Sequence, residues 1–380
     1  PVSERARTSV RELAAGTIHR LLGARGPGRF RHDANNPLPH DIVIVDETSM
    51  VSLSLVCRLL DAVRSDARLV LVGDPDQLSA IEAGAVLADI VGPAAEGPAF
   101  GPGMRAILTK AGGADPGPST VESEFGSGVV VLRHGHRFGA PIGQLADAIR
   151  RGDTDAAVSA AASDVPEIDW IRTDPAALSR GDGGDLRASV LAGFGEMLAA
   201  AREGAGAEAL AALGTLRLLC AHRHGPYGVS SWTASVEDWL TQELGVSVEG
   251  DYPGRPLLIT ENDHELRLYN GDAGVIVSGP DGPTAVFERE GGQLSLAPAR
   301  LAAVETAFAS TIHKSQGSQF STAAVILPGQ DSRLLTRELL YTAVTRARKR
   351  VLLVGEEAAL RAAVERPVQR ATGLQNRLWG

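Results

Sequence analysis

Asp41-Ile42-Val43-Ile44-Val45-Asp46-Glu47-Thr48-Ser49-Met50 runs four β-branched residues without a polar break into two adjacent carboxylates. An unbroken apolar run of this kind predicts a strand buried on both faces of a parallel sheet. Its carboxylates then emerge at the strand's C-terminal end, where open α/β sheets place their ligands. A strand ending in a polar turn would explain the run and one Asp. The string Asp-Glu-Thr-Ser-Met fits better a site where one acid holds Mg²⁺ and the next polarises water.

The neighbouring sequence repeats the pattern. Arg68-Leu69-Val70-Leu71-Val72-Gly73-Asp74-Pro75-Asp76-Gln77-Leu78 reads as a second buried strand ending in a polar turn. Asp74 follows Asp46 by roughly 28 residues, the span of one β-α-β crossover. The intervening helix shows in Leu53, Val56, Leu59, Leu60 and Val63. Two parallel strands thus deliver Asp46, Glu47, Asp74 and Gln77 to one sheet edge. Gln77 is neutral and can both donate to a phosphate oxygen and accept from water, which suits a γ-phosphate sensor.

The bulk composition bounds the rest. At 380 residues and 44% hydrophobic content, the chain can build two or three domains with real cores. Aromatic content is 4%, so those cores are mostly Ala, Leu and Val. A net charge of -9 excludes a protein that coats nucleic acid by bulk charge, so any such site is a local groove. Cys57 and Cys220 are too few and too far apart for a disulfide framework or metal site, which makes a reduced cytoplasm the default. No apolar run is long enough to span a bilayer. The only lysines are Lys110, Lys314 and Lys349.

Along the chain, Arg11 to Leu22 reads as a short amphipathic helix and Arg25 to Pro39 as a loop. Residues 91–128 read as an interdomain connection with a weak helix near Met104 to Lys110. Val129 to Leu132 reads as a strand, leading into Arg133-His134-Gly135-His136-Arg137-Phe138. The two histidines lack a completing ligand set. Arg137, whose fork matches phosphate oxygens, is the better candidate there. Val190 to Ala212 reads as one helix, Leu216 to Cys220 as a buried strand and Ser235 to Leu244 as a helix. Residues 153–187 give no chemistry. From 251 to 300, short strands separated by Asn270-Gly271-Asp272 and Pro280-Asp281-Gly282 predict hairpins. Ala323 to Leu327 then reads as a strand, Glu338 to Arg348 as a helix, Val351 to Val354 as the last strand, and residues 366–380 as a loose tail.

Six motifs, in order, carry a resemblance. They are Thr17-Ile18-His19-Arg20-Leu21-Leu22, Val45-Asp46-Glu47-Thr48-Ser49-Met50, Gly73-Asp74-Pro75-Asp76-Gln77-Leu78, His136-Arg137-Phe138, Thr311-Ile312-His313-Lys314-Ser315-Gln316-Gly317 and Thr342-Ala343-Val344-Thr345-Arg346-Ala347-Arg348. Together they resemble the superfamily 1 helicases. Glu82 to Leu87, Leu219-Cys220-Ala221 with Gly225-Pro226-Tyr227-Gly228, and Asn270 to Gly274 narrow the resemblance to the RecD family, the α subunit of exodeoxyribonuclease V (RecBCD).

That resemblance implies an α/β fold of two RecA-like parallel-sheet motor domains, the first incomplete, with a small SH3-like β-barrel inserted in the second. The implied bounds are 1–125 for the first domain, 128–245 plus 302–365 for the second, and 248–302 for the barrel. It implies a cytoplasmic, ATP- and Mg²⁺-dependent 5′→3′ DNA helicase of the 1B class, acting on single-stranded or duplex-end DNA with RecB- and RecC-like partners. Asp46 would hold Mg²⁺, Glu47 would activate water and Gln77 would sense the γ-phosphate. Arg137 and Arg346 would be arginine fingers from the second motor domain. Gly317 and Gln319 would lie on the nucleotide side. Thr17 and His19, then Thr311 and His313, would touch single-stranded DNA without reading its sequence.

Two departures stand out. The family pattern Gln-Gly-x-Glu-Phe becomes Gln316-Gly317-Ser318-Gln319-Phe320 here, which removes a charge. The Walker A loop, G-x-x-x-x-G-K-[ST], is also missing, since the lysines follow Thr109, His313 and Arg348 and never a Gly. The expectation is a RecD-like chain lacking its N-terminal portion. A PD-(D/E)xK nuclease site would need an acid two residues before a Lys, and Leu108, Ile312 and Ala347 stand there. Two other readings compete: a non-hydrolysing DNA-binding subunit, and a conjugative relaxase fragment, which lacks its expected His-rich metal site here.

Overall fold

The computed structural model describes residues 15–26, 28–79, 86–112, 123, 125–132, 139–181, 183–245, 247–289, 292–368 and 373–379. The chain divides into two compact units, Pro1–Leu132 with Gln369–Gly380, and Arg133–Val368. The Arg133 to Phe138 segment, with Arg137, lies outside the described residues, as do residues 80–85.

In the first unit, α1 (Ile18–Leu22) leads into a hairpin of β1 (Ala24–Gly26) and β2 (Arg29–Phe30). Next come β3 (Ile42–Val45), α2 (Leu53–Ala62), β4 (Arg68–Leu71), α3 (Val86–Val91) and α4 (Pro102–Lys110). β3 and β4 pair in parallel, from Ile42 opposite Arg68 to Val45 opposite Leu71. The Ser52 side chain caps α2 by accepting from Leu55 N. The helix buries Val56, Leu59 and Ala62, and the last two share a core with Val43 and Val45. A buried Val or Leu side chain here is worth about 1.5–3 kcal/mol.

Burial of β3 differs from the sequence expectation. Val43 and Val45 are buried, but Ile42 is 59% exposed and Ile44 66%. The described sheet here has two strands, and its core lies on the Val43/Val45 face alone. β-branched residues on the other face keep strand propensity without a partner layer.

In the second unit, α5 (Ala140–Arg151), α6 (Thr154–Ala161), β5 (Ile168–Ile171), α7 (Pro175–Arg180), α8 (Gly184–Arg202) and α9 (Gly206–Leu213) precede β6 (Leu216–Cys220) and α10 (Val229–Leu244). The chain then forms β7 (Pro256–Ile259), β8 (Ala273–Gly279), β9 (Gly282–Arg289), β10 (Gly292–Leu296) and β11 (Val304–Thr306). It closes with β12 (Ala309–Thr311), β13 (Phe320–Ile326), α11 (Arg337–Val344), β14 (Ala347–Val354) and α12 (Glu357–Glu365). The parallel sheet has the order β12-β6-β13-β14-β5. Between β6 and β12 the chain builds a separate five-stranded sheet, β10-β9-β8-β7-β11, whose pairs are all antiparallel. This sheet has its own core of Leu257, Ile259, Leu268, Ile276, Ala285, Phe287 and Leu296. The fold is mixed α/β, and among the described residues its sheets are parallel apart from this insert and the β1–β2 hairpin.

Four local expectations need correction. Val129 to Leu132 is not a strand: it follows a 3₁₀ turn, and Leu132 is 89% exposed with no strand to pair with among the described residues. Val190 to Ala212 is two helices, because Gly204 adopts φ 74° at the break. The helix expected to reach Arg348 stops at Val344, since Ala347 to Arg350 pair in the sheet instead. The tail is not wholly loose: α13 (Leu374–Trp379) packs on the first unit. There Trp379 Nε1 donates to Asp89 O at 3.2 Å, and its ring meets Phe125 edge-on. Gly92 sits at φ 45°, where a Cβ would collide with that indole. Residues 153–187 supply β5, an edge strand of the parallel sheet. No helix among the described residues is long and apolar enough to cross a membrane.

Candidate active site

In the first unit the parallel register brings the C-terminal ends of β3 and β4 to one edge. Asp46 follows β3 and is exposed. Glu47 takes a left-handed conformation, φ 50° and ψ 40°, one of two non-glycine residues with positive φ among the described residues. Such a conformation costs about 1–3 kcal/mol and persists where the surroundings enforce it. Three bonds enforce it here. Glu47 N donates to Asp46 Oδ1 at 2.9 Å, the Thr48 hydroxyl donates to Val45 O at 3.1 Å, and Thr48 N donates to Val72 O at 2.9 Å. The last bond locks the acidic turn onto the adjacent strand.

Gly73 permits that approach. A Cβ there would stand 3.0 Å from Thr48 N and 3.2 Å from Ser49 N, too close for backbone that cannot move. Beyond Gly73, Asp74 organises its turn. Its Oδ1 accepts from Asp76 N at 3.1 Å and its Oδ2 from Gln77 Nε2 at 3.0 Å. The Gln77 side chain is buried and held by this bond. Asp46, Glu47, Asp74 and Gln77 therefore share one sheet edge.

Thr17 and His19 stand apart from that edge, on α1. The Thr17 hydroxyl caps the helix, accepting from Arg20 N at 3.2 Å. His19 is exposed, its ring 5.9 Å from that of Phe30.

In the second unit the candidate residues fall at opposite ends of the parallel sheet. Thr311 pairs with Cys220, which pairs with Ile326, at the C-terminal end of the strands. Thr311 Oγ1 accepts from Lys314 N at 3.2 Å, and tight turns follow. Burial holds the His313 imidazole below its usual range, so it stays neutral near pH 7. Lys314 Nζ and Arg223 both pair with Glu305, at 2.7 and 2.9 Å.

At the other end, Phe320 opens β13 beside Ala347. Arg346 is only 1% exposed; its Nε donates to Thr342 O at 3.1 Å and its Nη1 to Ser318 O at 3.4 Å. Gly317 turns the chain at φ 78°. Gln319 Oε1 accepts from Arg348 Nε at 2.9 Å. Arg346, Gly317 and Gln319 are thus brought together, and Thr311 with His313 is placed at the other end.

Sequence reasoning missed Glu305, Thr48 and Gly73. Only Gly73 had a visible signal, a glycine between a strand and an acid. Among the described residues no group of three His, Cys, Asp or Glu could hold a metal by itself.

The chain is similar to known proteins along most of its length. The AAA domain family matches residues 3–100, and the UvrD-like helicase C-terminal domain family matches residues 306–354. The chain is 50% identical over 369 residues to the RecBCD enzyme subunit RecD of Mycolicibacterium smegmatis, covering 96% of this chain and 59% of that protein. It is 48% identical over 374 residues to the RecBCD enzyme subunit RecD of Mycobacterium tuberculosis, covering 98% and 59%. The chain thus spans about three-fifths of the length of these relatives. Among solved structures, Bacteroides Pif1 bound to single-stranded DNA aligns with a TM-score of 0.42 and 17% identity, covering 90% of this chain and 79% of that one.

Proposed function

Starting from a chain that is a homologue of RecD along nearly its whole length, we propose that it is the motor portion of an ATP-dependent 5′→3′ DNA helicase subunit in a RecBCD-type double-strand-break repair complex. The observation that carries this reading is 50% identity over 369 residues to a RecD protein. In this reading the partners are RecB- and RecC-like subunits and single-stranded or duplex-end DNA, in the cytoplasm. The domains run 1–125, 128–245 with 302–365, and an SH3-like insert at 248–302.

The residues present fit the metal side of an Mg²⁺–ATP site. The Asp46 carboxylate is exposed at its strand end, Glu47 is fixed beside it, and Gln77 is anchored on the next strand end. Bound Mg²⁺–ATP supplies the phosphoryl group whose transfer to water drives the motor. Asp46 would hold the metal, Glu47 would polarise the attacking water, and Gln77 would report on the γ-phosphate. Arg137 and Arg346 would offset charge on the transferring group. Gly317 and Gln319 lie beside Arg346 and would shape the nucleotide side. Thr17, His19, Thr311 and His313 would contact the DNA backbone.

The test uses the intact parent protein. Wild type should hydrolyse ATP faster with single-stranded DNA and unwind 5′-tailed duplexes, and Glu47→Gln should abolish both. Unwinding of 3′-tailed duplexes alone, or full activity in Glu47→Gln, overturns the reading. A non-hydrolysing DNA-binding subunit is the second reading. It predicts DNA binding without turnover.

A further inference from the structure

Arg217 lies on β6, an interior strand of the parallel sheet, with Ala323 beside it on β13. The other four residues of that strand, Leu216, Leu218, Leu219 and Cys220, are apolar and buried. Arg217 itself is 4% exposed. Burial lowers its pKa to about 10, so the guanidinium is still charged at neutral pH. A charge taken out of water is expected to have a carboxylate partner. Among the described residues Arg217 has no ion pair, and its Nε has no hydrogen-bond partner.

What it touches are two pieces of chain. Its Nη1 donates to Ala307 O, and its guanidinium lies 5.1 Å from the centre of the Phe320 ring. Ala307 is the joint where the chain leaves the antiparallel insert and enters β12. Its own N donates to Pro256 O in the insert, and the neighbouring Phe308 O accepts from Leu218 N in the parallel sheet. β12 then delivers Thr311 and His313. Phe320 opens β13 at the opposite end of the sheet, where its N donates to Arg346 O at 2.9 Å. Arg346 in turn donates to Ser318 O. One buried cation therefore braces both the strand that leads to Thr311 and the turn that holds Arg346 and Gln319.

We propose that Arg217 is a positioning residue that couples these two ends, so that DNA held at Thr311 and His313 alters the placement of Arg346. The inference rests on the helicase reading above. A leucine or methionine would fill the same volume at lower desolvation cost. The charge gives something apolar packing cannot, a directional bond to one segment and an electrostatic contact with the other.

The experiment measures ATP hydrolysis with and without single-stranded DNA in the intact protein, together with thermal stability. Arg217→Met should keep the DNA-free rate within about two-fold and the melting temperature near wild type. Stimulation by DNA should fall at least ten-fold, and Arg217→Lys should restore part of it. A purely structural role would move stability and leave the stimulation ratio unchanged in the folded fraction. Wild-type stimulation in Arg217→Met overturns the proposal. If Arg217→Met does not fold, Phe320→Leu decides. It keeps apolar volume and deletes the ring contact, so the stimulation ratio should fall at unchanged melting temperature, and an unchanged ratio overturns the proposal. Absence of DNA-stimulated hydrolysis in wild type is a different failure, which removes the helicase reading and this inference with it.

Discussion

The Gln77 carboxamide donates to the Asp74 carboxylate at 3.0 Å, three residues away across one turn. That bond fixes which face of the amide can point outward. Gln77→Glu would set two carboxylates against each other at a buried position. We expect a loss of about 1–3 kcal/mol in stability at pH 8, read from urea unfolding. The loss should shrink below pH 6, where one proton can be shared between the pair. The same variant should lose hydrolysis at least ten-fold. Wild-type stability at pH 8 would show that the bond is incidental.

Glu47 combines an acid with a left-handed backbone. The two properties separate by mutation. Glu47→Gln keeps the backbone strain and removes the proposed base, so ATP and DNA binding should persist while turnover falls by about 10²–10⁴. Glu47→Gly removes both, so it should match Glu47→Gln in lost turnover and exceed it in stability by about 1 kcal/mol. Calorimetry of the two variants side by side checks the second claim. Equal stability would mean that the turn is not strained.

Much of the first site was legible because its signals are local. β-branched runs make strands, and Asp-Glu and Gly-Asp-Pro-Asp-Gln mark their ends. What covers a strand is not local, so the exposure of Ile42 and Ile44 could not be read from Ile-Val-Ile-Val. Nor could the left-handed Glu47, because the conformation is forced by bonds to Val45 and Val72 rather than by its own propensity. In the second unit the helix over Arg337–Val344 was legible but its end was not. Ala347 to Arg350 are fair helix formers that the sheet captures through pairing with Phe320 and Thr322. Leu-Arg-Leu-Leu-Cys was legible as a buried strand, but nothing local says what the Arg in it touches.

His313 gives a pH prediction. Burial lowers its folded-state pKa below the unfolded value of about 6.5. Between those two values the unfolded chain binds more protons, so stability rises with pH there and is lost as pH falls through about 6.5. The loss stops growing below the folded pKa. His313→Gln should flatten the difference in melting temperature between pH 7.5 and 5.5 relative to wild type. An unchanged difference would place the imidazole in contact with water in both states.

The last prediction concerns residues 1–380 on their own. Phosphoryl transfer depends on positioning more than on covalent chemistry. The usual cradle is a glycine-rich loop whose backbone N–H groups and lysine hold the phosphates, with a Ser or Thr on the metal. No Gly-Lys pair occurs in the sequence. In the proposed reading Asp46, Glu47 and Gln77 would supply the metal and water side. Arg346, buried and bonded to Thr342 O and Ser318 O, is not a substitute cradle. These residues can attract a triphosphate without fixing its geometry. The purified 380-residue chain should therefore show no measurable DNA-stimulated hydrolysis and no unwinding. Weak, salt-sensitive binding to single-stranded DNA through Thr17, His19, Thr311 and His313 should survive. Hydrolysis by this chain that disappears in Glu47→Gln would show that the phosphates are held by residues other than such a loop.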